Sequence, residues 1–205
     1  MSKISQLVIG LTALISASVN AAPVTINYTA DNTILDFGVC LNLGCNPLSN
    51  PSDFSLLLDK GANVNNWTNA DSITFDLDPG TYSIGFVVQN FGAPSRGNPA
   101  GLLAEIIWQD NINLTSSTWD VTTNGVDYVA ATEWHKNGAG VWGSNLLGEI
   151  SSDAYWLWTA NNFDGTTDTT AAFRTTITVR DVSEPGIFGL FLLGLASLGL
   201  RRRLG

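Results

Sequence analysis

Residues 72–90 read "SITFDLDPGTYSIGFVVQN". In the first half Ile73, Phe75 and Leu77 alternate with Ser72, Thr74, Asp76 and Asp78, the period-two pattern of a strand with one wet face. The "DPGT" at 78–81 is a tight-turn signal, because Pro79 presets one backbone angle and Gly80 is free to take a positive one. "TYSIGFVVQN" (81–90) then supplies a second strand, so the stretch is expected to be a meander of two neighbouring antiparallel strands.

Near the end of the body "FRTTITVR" (173–180) repeats the alternation, with Phe173, Thr175, Ile177 and Val179 set against Arg174, Thr176, Thr178 and Arg180. Further apolar or alternating runs occur at "TINYTA" (25–30), "FSLLLD" (54–59), "GLLAEIIWQD" (101–110) and "YWLWT" (155–159). Loops rich in Asn, Gly, Asp and Ser separate them, and the body of the chain shows no long helical period. Many short strands punctuated by turn signals predict an all-β antiparallel sandwich.

With 205 residues, 44% of them hydrophobic and 13% charged, the chain can bury one good core. Low charge with abundant Thr, Asn, Ser and Gly is the balance of a secreted β-rich protein. The N-terminus agrees: Lys3, an apolar stretch from Leu7 to Val19, and small residues at Val19-Asn20-Ala21 read as a signal peptide over 1–21, cleaved before Ala22. Residues 22–184 carry five Lys or Arg against eighteen Asp or Glu, a net −13, which makes nucleic acid a poor partner. In an oxidising compartment Cys40 and Cys45, either side of "LNLG", favour a disulfide closing a small loop, and one histidine with two cysteines makes no zinc site.

The other end reads "SEPGIFGLFLLGLASLGLRRRLG" (183–205). The apolar run Gly186 to Leu200 spans about 22 Å as a helix, short of the roughly 30 Å hydrocarbon core, and Arg201, Arg202 and Arg203 fix a cytoplasmic end. Ser183, Glu184 and Pro185, the short helix and the arginine cluster together resemble the PEP-CTERM sorting signal, with Ser183 where a first proline is commoner. That resemblance implies recognition by an exosortase, a transpeptidase-like membrane enzyme of Gram-negative bacteria that make exopolysaccharide. The expected route is export through the inner membrane, a transient anchor there, then release to the cell surface or matrix. The body, 22–182, stands as one domain between the two signals.

A second resemblance spans most of residues 24–181. "YTADNTI", "NNWTNADSITFDLDPGTYSIGFVVQNFG", "GNPAGLLAEI", "YWLWTANN" and "AAFRTTITV" are similar to elements of galactose-binding-domain-like jelly rolls. Gly97, Pro99, Ala100, Gly101, Leu102, Leu103 and Ala104 match a Gly-Pro-Ala-Gly-Leu-Leu-Ala-type segment, with Asn98 as an insertion. Physically, Pro99 stiffens the loop, Gly101 allows close backbone approach, and Leu102 and Leu103 begin a strand buried on both faces.

All seven tryptophans fall in the body. Flat aromatic faces stack on pyranose C–H surfaces, so they are candidates for a sugar site. Trp108, Trp156 and Trp158 lie in apolar strands and read as core, with Trp156 and Trp158 on one face. Trp134 and Trp142, in the polar, glycine-rich "EWHKNGAGVWGSN" (133–145), and Trp67 in "NNWTNAD" (65–71) are the glycan candidates. His135, the lone histidine, reads as a solvated loop residue. No nucleophile elbow surrounds any serine and no carboxylate pair is marked by its setting, so a noncatalytic protein that binds or organises extracellular polysaccharide is expected. A structural matrix protein contacting other proteins, and a cryptic carbohydrate-active enzyme, are the alternatives. No cofactor is expected, although "NNFDGTTDTT" (161–170) offers Asn162, Asp164 and Asp168 as weak calcium ligands, and galactose-binding-like folds often carry a structural calcium.

Overall fold

The computed structural model describes residues 20–40, 46–144, 146–163 and 168–181. Most of the expected signal peptide, the whole sorting tail at 183–205, Cys45 and Asp164 lie outside the described residues. Within them there are twelve strands: β1 (Ala22–Asp31), β2 (Thr33–Cys40), β3 (Leu56–Leu57), β4 (Asp71–Leu77), β5 (Gly80–Gln89), β6 (Gly101–Trp108), β7 (Asn111–Leu114), β8 (Asp120–Thr122), β9 (Val129–Ala130), β10 (Thr132–Lys136), β11 (Tyr155–Trp158) and β12 (Thr170–Val179). Two 3-10 helices, Pro51–Asp53 and Gly140–Trp142, are the helical elements, and no described helix is long and apolar enough to cross a membrane.

All strand pairings are antiparallel and fall into two sheets. One runs β10-β11-β6-β1-β4, with β7 sharing the β11 side of β6; the other runs β3-β2-β5-β12-β8-β9. The described residues therefore form an all-β body of two antiparallel sheets, as the strand patterning predicts.

The expected meander of residues 72–90 does not form. β4 pairs with β1 in the first sheet, whereas β5 pairs with β2 and β12 in the second. Asp78 and Pro79 carry the chain from one sheet to the other, and Gly80 is not among the glycines with positive φ. Its lack of a Cβ serves a different end: a methyl there would meet Tyr82 Oη at 3.2 Å. The Tyr82 hydroxyl folds back over the corner and donates to the Asp78 carbonyl at 2.8 Å, the tie seen in tyrosine corners of β-sandwiches. Both strands have inward-facing apolar residues, and the burial of each half against a separate sheet outweighs the local turn signal.

Between the sheets, Phe37 and Phe86 stack with centroids 5.0 Å apart, and Tyr28 and Trp119 pack around them. These four rings are fully buried and fix how the two sheets face each other. The outer faces are covered too. Over the second sheet, Gly38 and Gly85 are cross-strand neighbours, and Phe54 lies on the flat floor they make; a Cβ on Gly38 would come within 2.9 Å of its ring. Phe54 belongs to the segment that follows Cys40, which is buried and disulfide-bonded.

Over the first sheet, Leu103, Trp142, Leu147, Ile150, Ala154 and Trp156 form a second apolar cluster. Leu102 points into the inter-sheet core and Leu103 into this outer cluster, each 0% exposed, so β6 is buried on both faces as its sequence predicts. Trp156 and Trp158 are both buried but separate, Trp156 in the outer cluster and Trp158 in the inter-sheet core against Phe173.

Candidate functional site

The three tryptophans expected to meet glycans gather on the covered face of the first sheet. Trp142 is 3% exposed, not on an open loop. It stacks flat on Trp156, 4.6 Å between centroids and 7° between planes. Its indole N–H donates to Asp31 Oδ2 at 3.0 Å. The expectation of an exposed Trp142 is thereby corrected: the glycine-rich segment folds back because Gly138, Gly140 and Gly143 take positive φ, and hydrophobic burial decides where the indole goes.

Trp134 sits on β10 and not in a loop; it is half-buried, bonds the Thr159 carbonyl through its N–H at 3.1 Å, and meets Phe163 edge-on at 4.4 Å. Trp67 is half-buried and packs edge-on against Trp156 at 6.4 Å. His135 is half-buried as well, 6.1 Å from Trp142, with Gly140 flat against its ring. The polar composition of this segment hides an aromatic cluster that the one-dimensional pattern reads as surface.

Asp31 closes that cluster. It is 3% exposed; besides Trp142 it accepts a bond from Asn32 Nδ2 at 2.6 Å. Burial is the main influence on its carboxyl and pushes the pKa up to about 6, while the two hydrogen bonds pull the other way. An acid with a raised folded pKa contributes most stability below its unfolded value, near 4, and loses that contribution as pH rises to 6. A carboxyl moved from near 4 to about 6 makes that contribution about 3 kcal/mol. Urea denaturation of wild type and Asp31→Asn at pH 4, 5, 6 and 7 is expected to show wild type losing that much relative to the variant across the window. A constant difference between the two would refute the assignment.

The calcium candidates are dispersed in role. Asn162 is 0% exposed, accepts from the Ala100 N–H at 2.9 Å and donates to the Ala100 carbonyl at 2.8 Å, so its amide acts like a neighbouring strand. Asp168 meets the Thr159 hydroxyl at 3.4 Å. Among the described residues no three acidic, histidine or cysteine side chains converge on a common point. Asn98, the insertion in the Gly-Pro-Ala-Gly segment, donates to the Phe91 and Ala93 carbonyls and holds that loop together.

An open groove of about 840 Å³ lies at the other end of the sandwich. There β1 begins and β12 ends, so the segment 20–23 and the residues 180–181 share one wall with the β6–β7 turn. Trp108, Gln109, Asp110, Asn111, Arg180 and Asp181 line it. Trp108 is 9% exposed and is held by its N–H to the Thr178 carbonyl at 3.0 Å. Gln109, at φ 51, clamps Arg180 by donating to its carbonyl at 2.7 Å and accepting from its N–H at 3.3 Å. An indole beside amides, carboxylates and a guanidinium is the lining that suits a polyhydroxylated ligand.

Sequence reasoning assigns Trp108 to the core, as it is, but misses the groove around it. The polar "QDN" directly after an apolar strand is the available signal; bringing it to Arg180 needs the sheet order. Comparison with protein-family models, characterised protein sequences and solved structures finds no match for this chain.

Proposed function

We propose that this protein is an exported, noncatalytic binder of extracellular polysaccharide, a galactose-binding-like jelly roll delivered by a PEP-CTERM tail and released by an exosortase. The chain's repeated passage between two antiparallel sheets supports the jelly-roll reading, since β1 to β2, β3 to β4, β4 to β5, β5 to β6, β7 to β8, β9 to β10 and β11 to β12 all change sheet. The observation that carries the binding role is the groove at Trp108, with Asp110, Asn111 and Arg180 on its rim.

Its position bears on maturation. Asn20 and Ala21, expected to leave with the signal peptide, line this groove, and the sorting tail continues from beside Asp181. A noncatalytic role fits the carboxyl whose pKa is raised, because Asp31 is buried with its oxygens held by Trp142 and Asn32 and is not free to protonate a glycosidic oxygen.

One preparation tests the proposal. Protein recovered from the surface of the producing cell is expected to have a mass ending near Glu184, and to bind host exopolysaccharide saturably. Asp110→Ala with Asn111→Ala is expected to weaken that binding at least tenfold while leaving the melting temperature within a few degrees. An intact Gly205 terminus would refute sorting; unchanged affinity in the double variant would refute the groove.

A further inference from the structure

A sheet edge is a row of unpaired backbone N–H and C=O groups, and folded proteins blunt such edges to prevent pairing with other chains. Among the described residues five strands have a partner on one side only, and four of these are blunted, β7 by its length of four residues. β3 and β9 are two residues long each. β10 carries an irregular register between Glu133 and His135 and ends in Lys136, which is paired with Asp153 at 2.8 Å.

β4 differs. It has seven residues in unbroken register with β1, no proline, no lysine and no bulge. Its alternate backbone groups turn toward β1, and the rest face outward with no backbone partner among the described residues beyond the β1 pairing. The apolar core also reaches this edge, where Ile73 and Phe75 are half-buried and not sealed.

We propose that β4 is an assembly edge that pairs antiparallel with β4 of a second copy of this chain. The sequence Asp71-Ser72-Ile73-Thr74-Phe75-Asp76-Leu77 selects both the partner and the register. A two-fold axis through Thr74 pairs all seven residues, setting Thr74 opposite Thr74, Ile73 opposite Phe75, Ser72 opposite Asp76 and Asp71 opposite Leu77. No charge faces a like charge, and each half-buried apolar residue gains an apolar partner. A two-fold axis through Asp76 would place the two carboxylates face to face. The contact is isologous and closes at two copies, joining the two first sheets into one. This goes beyond polysaccharide binding: two copies would present two grooves, and bivalency raises avidity for a repeating polymer.

The test places a single thiol on the exposed face of the strand, where Ser72, Thr74 and Asp76 are accessible and the fold is not at risk. Directly opposed residues in an antiparallel pair bring Cα atoms about 4.5–5.5 Å apart, within disulfide reach. In the full-length protein in mild detergent, Thr74→Cys is expected to give a covalent dimer as the main product of mild oxidation. Ser72→Cys and Asp76→Cys are expected to give at least tenfold less alone, and to crosslink to each other when mixed. Thr74→Lys, which opposes two positive charges, is expected to shift wild-type dimer to monomer by light scattering. A monomeric wild type, or equal crosslinking of Thr74→Cys and Ser72→Cys, would overturn the proposal.

Discussion

Trp156→Ala is expected to lower stability by about 4 kcal/mol, since truncating a buried aromatic residue costs about 3–5 kcal/mol. For a body of this size that is a fall in melting temperature of about 8–16 °C. The indole is 2% exposed, lies flat on Trp142 and edge-on to Trp67, and forms the centre of the outer cluster. Its neighbour across the sheet makes the prediction specific. A Cβ added at Gly101 would meet Trp156 Cε3 at 2.7 Å and Trp142 Cζ2 at 2.9 Å, so Gly101→Ala overpacks the same site and is expected to cost about 2 kcal/mol alone. In the double variant the new methyl enters space the indole has vacated, and the loss is expected to stay near that of Trp156→Ala, a coupling of about 2 kcal/mol. Thermal and urea unfolding of the four proteins measure it; simple additivity would show that Gly101 does not exist to admit the paired indoles.

That pair also shows how far sequence reading reaches. Gly101 as a point of close approach, and Leu102 and Leu103 as a strand buried on both faces, are legible because they follow from local chemistry. β5, β6, β11 and β12 are legible because apolar runs or clean alternation mark them. β2 is not, since a bulge between Ile34 and Asp36 breaks the period on which the eye depends. β7, β8 and β10 are short and polar, and only pairing with β6, β12 and β11 makes them strands.

The same limit applies to candidate sites. Tryptophan in a polar loop reads as exposed, yet positive-φ glycines let that loop fold back and bury Trp142 over Asp31. The groove at Trp108 joins residues near 20, 110 and 180, and no spacing rule anticipates which turn meets which chain end. The stretch at 72–90 teaches the complementary lesson. Its strands are written in the residues, but whether a Pro-Gly turn closes a hairpin or crosses between sheets depends on where the apolar faces find partners.

Asn162 offers the sharpest separation of a structural from a metal-binding reading, because the two predict opposite responses to one change. As a clamp it presents an acceptor to the Ala100 N–H and a donor to the Ala100 carbonyl, both fully buried. Asn162→Ala leaves these two groups unpaired, at about 1–3 kcal/mol each, for a loss of about 3 kcal/mol. Asn162→Asp keeps the acceptor but turns a second oxygen toward the carbonyl and buries a charge, so it is expected to cost about 4 kcal/mol or more. A calcium ligand behaves the other way, since a carboxylate binds the ion more strongly than an amide oxygen. Unfolding of both variants with 5 mM, a concentration of order 10⁻³ M chosen to fill even weak extracellular sites, of either calcium or EDTA is expected to give matching curves, with Asp below Ala and both well below wild type. A calcium-dependent rise of the Asp variant to wild-type stability would instead place the ion at this loop and displace Ala100 as the partner of Asn162.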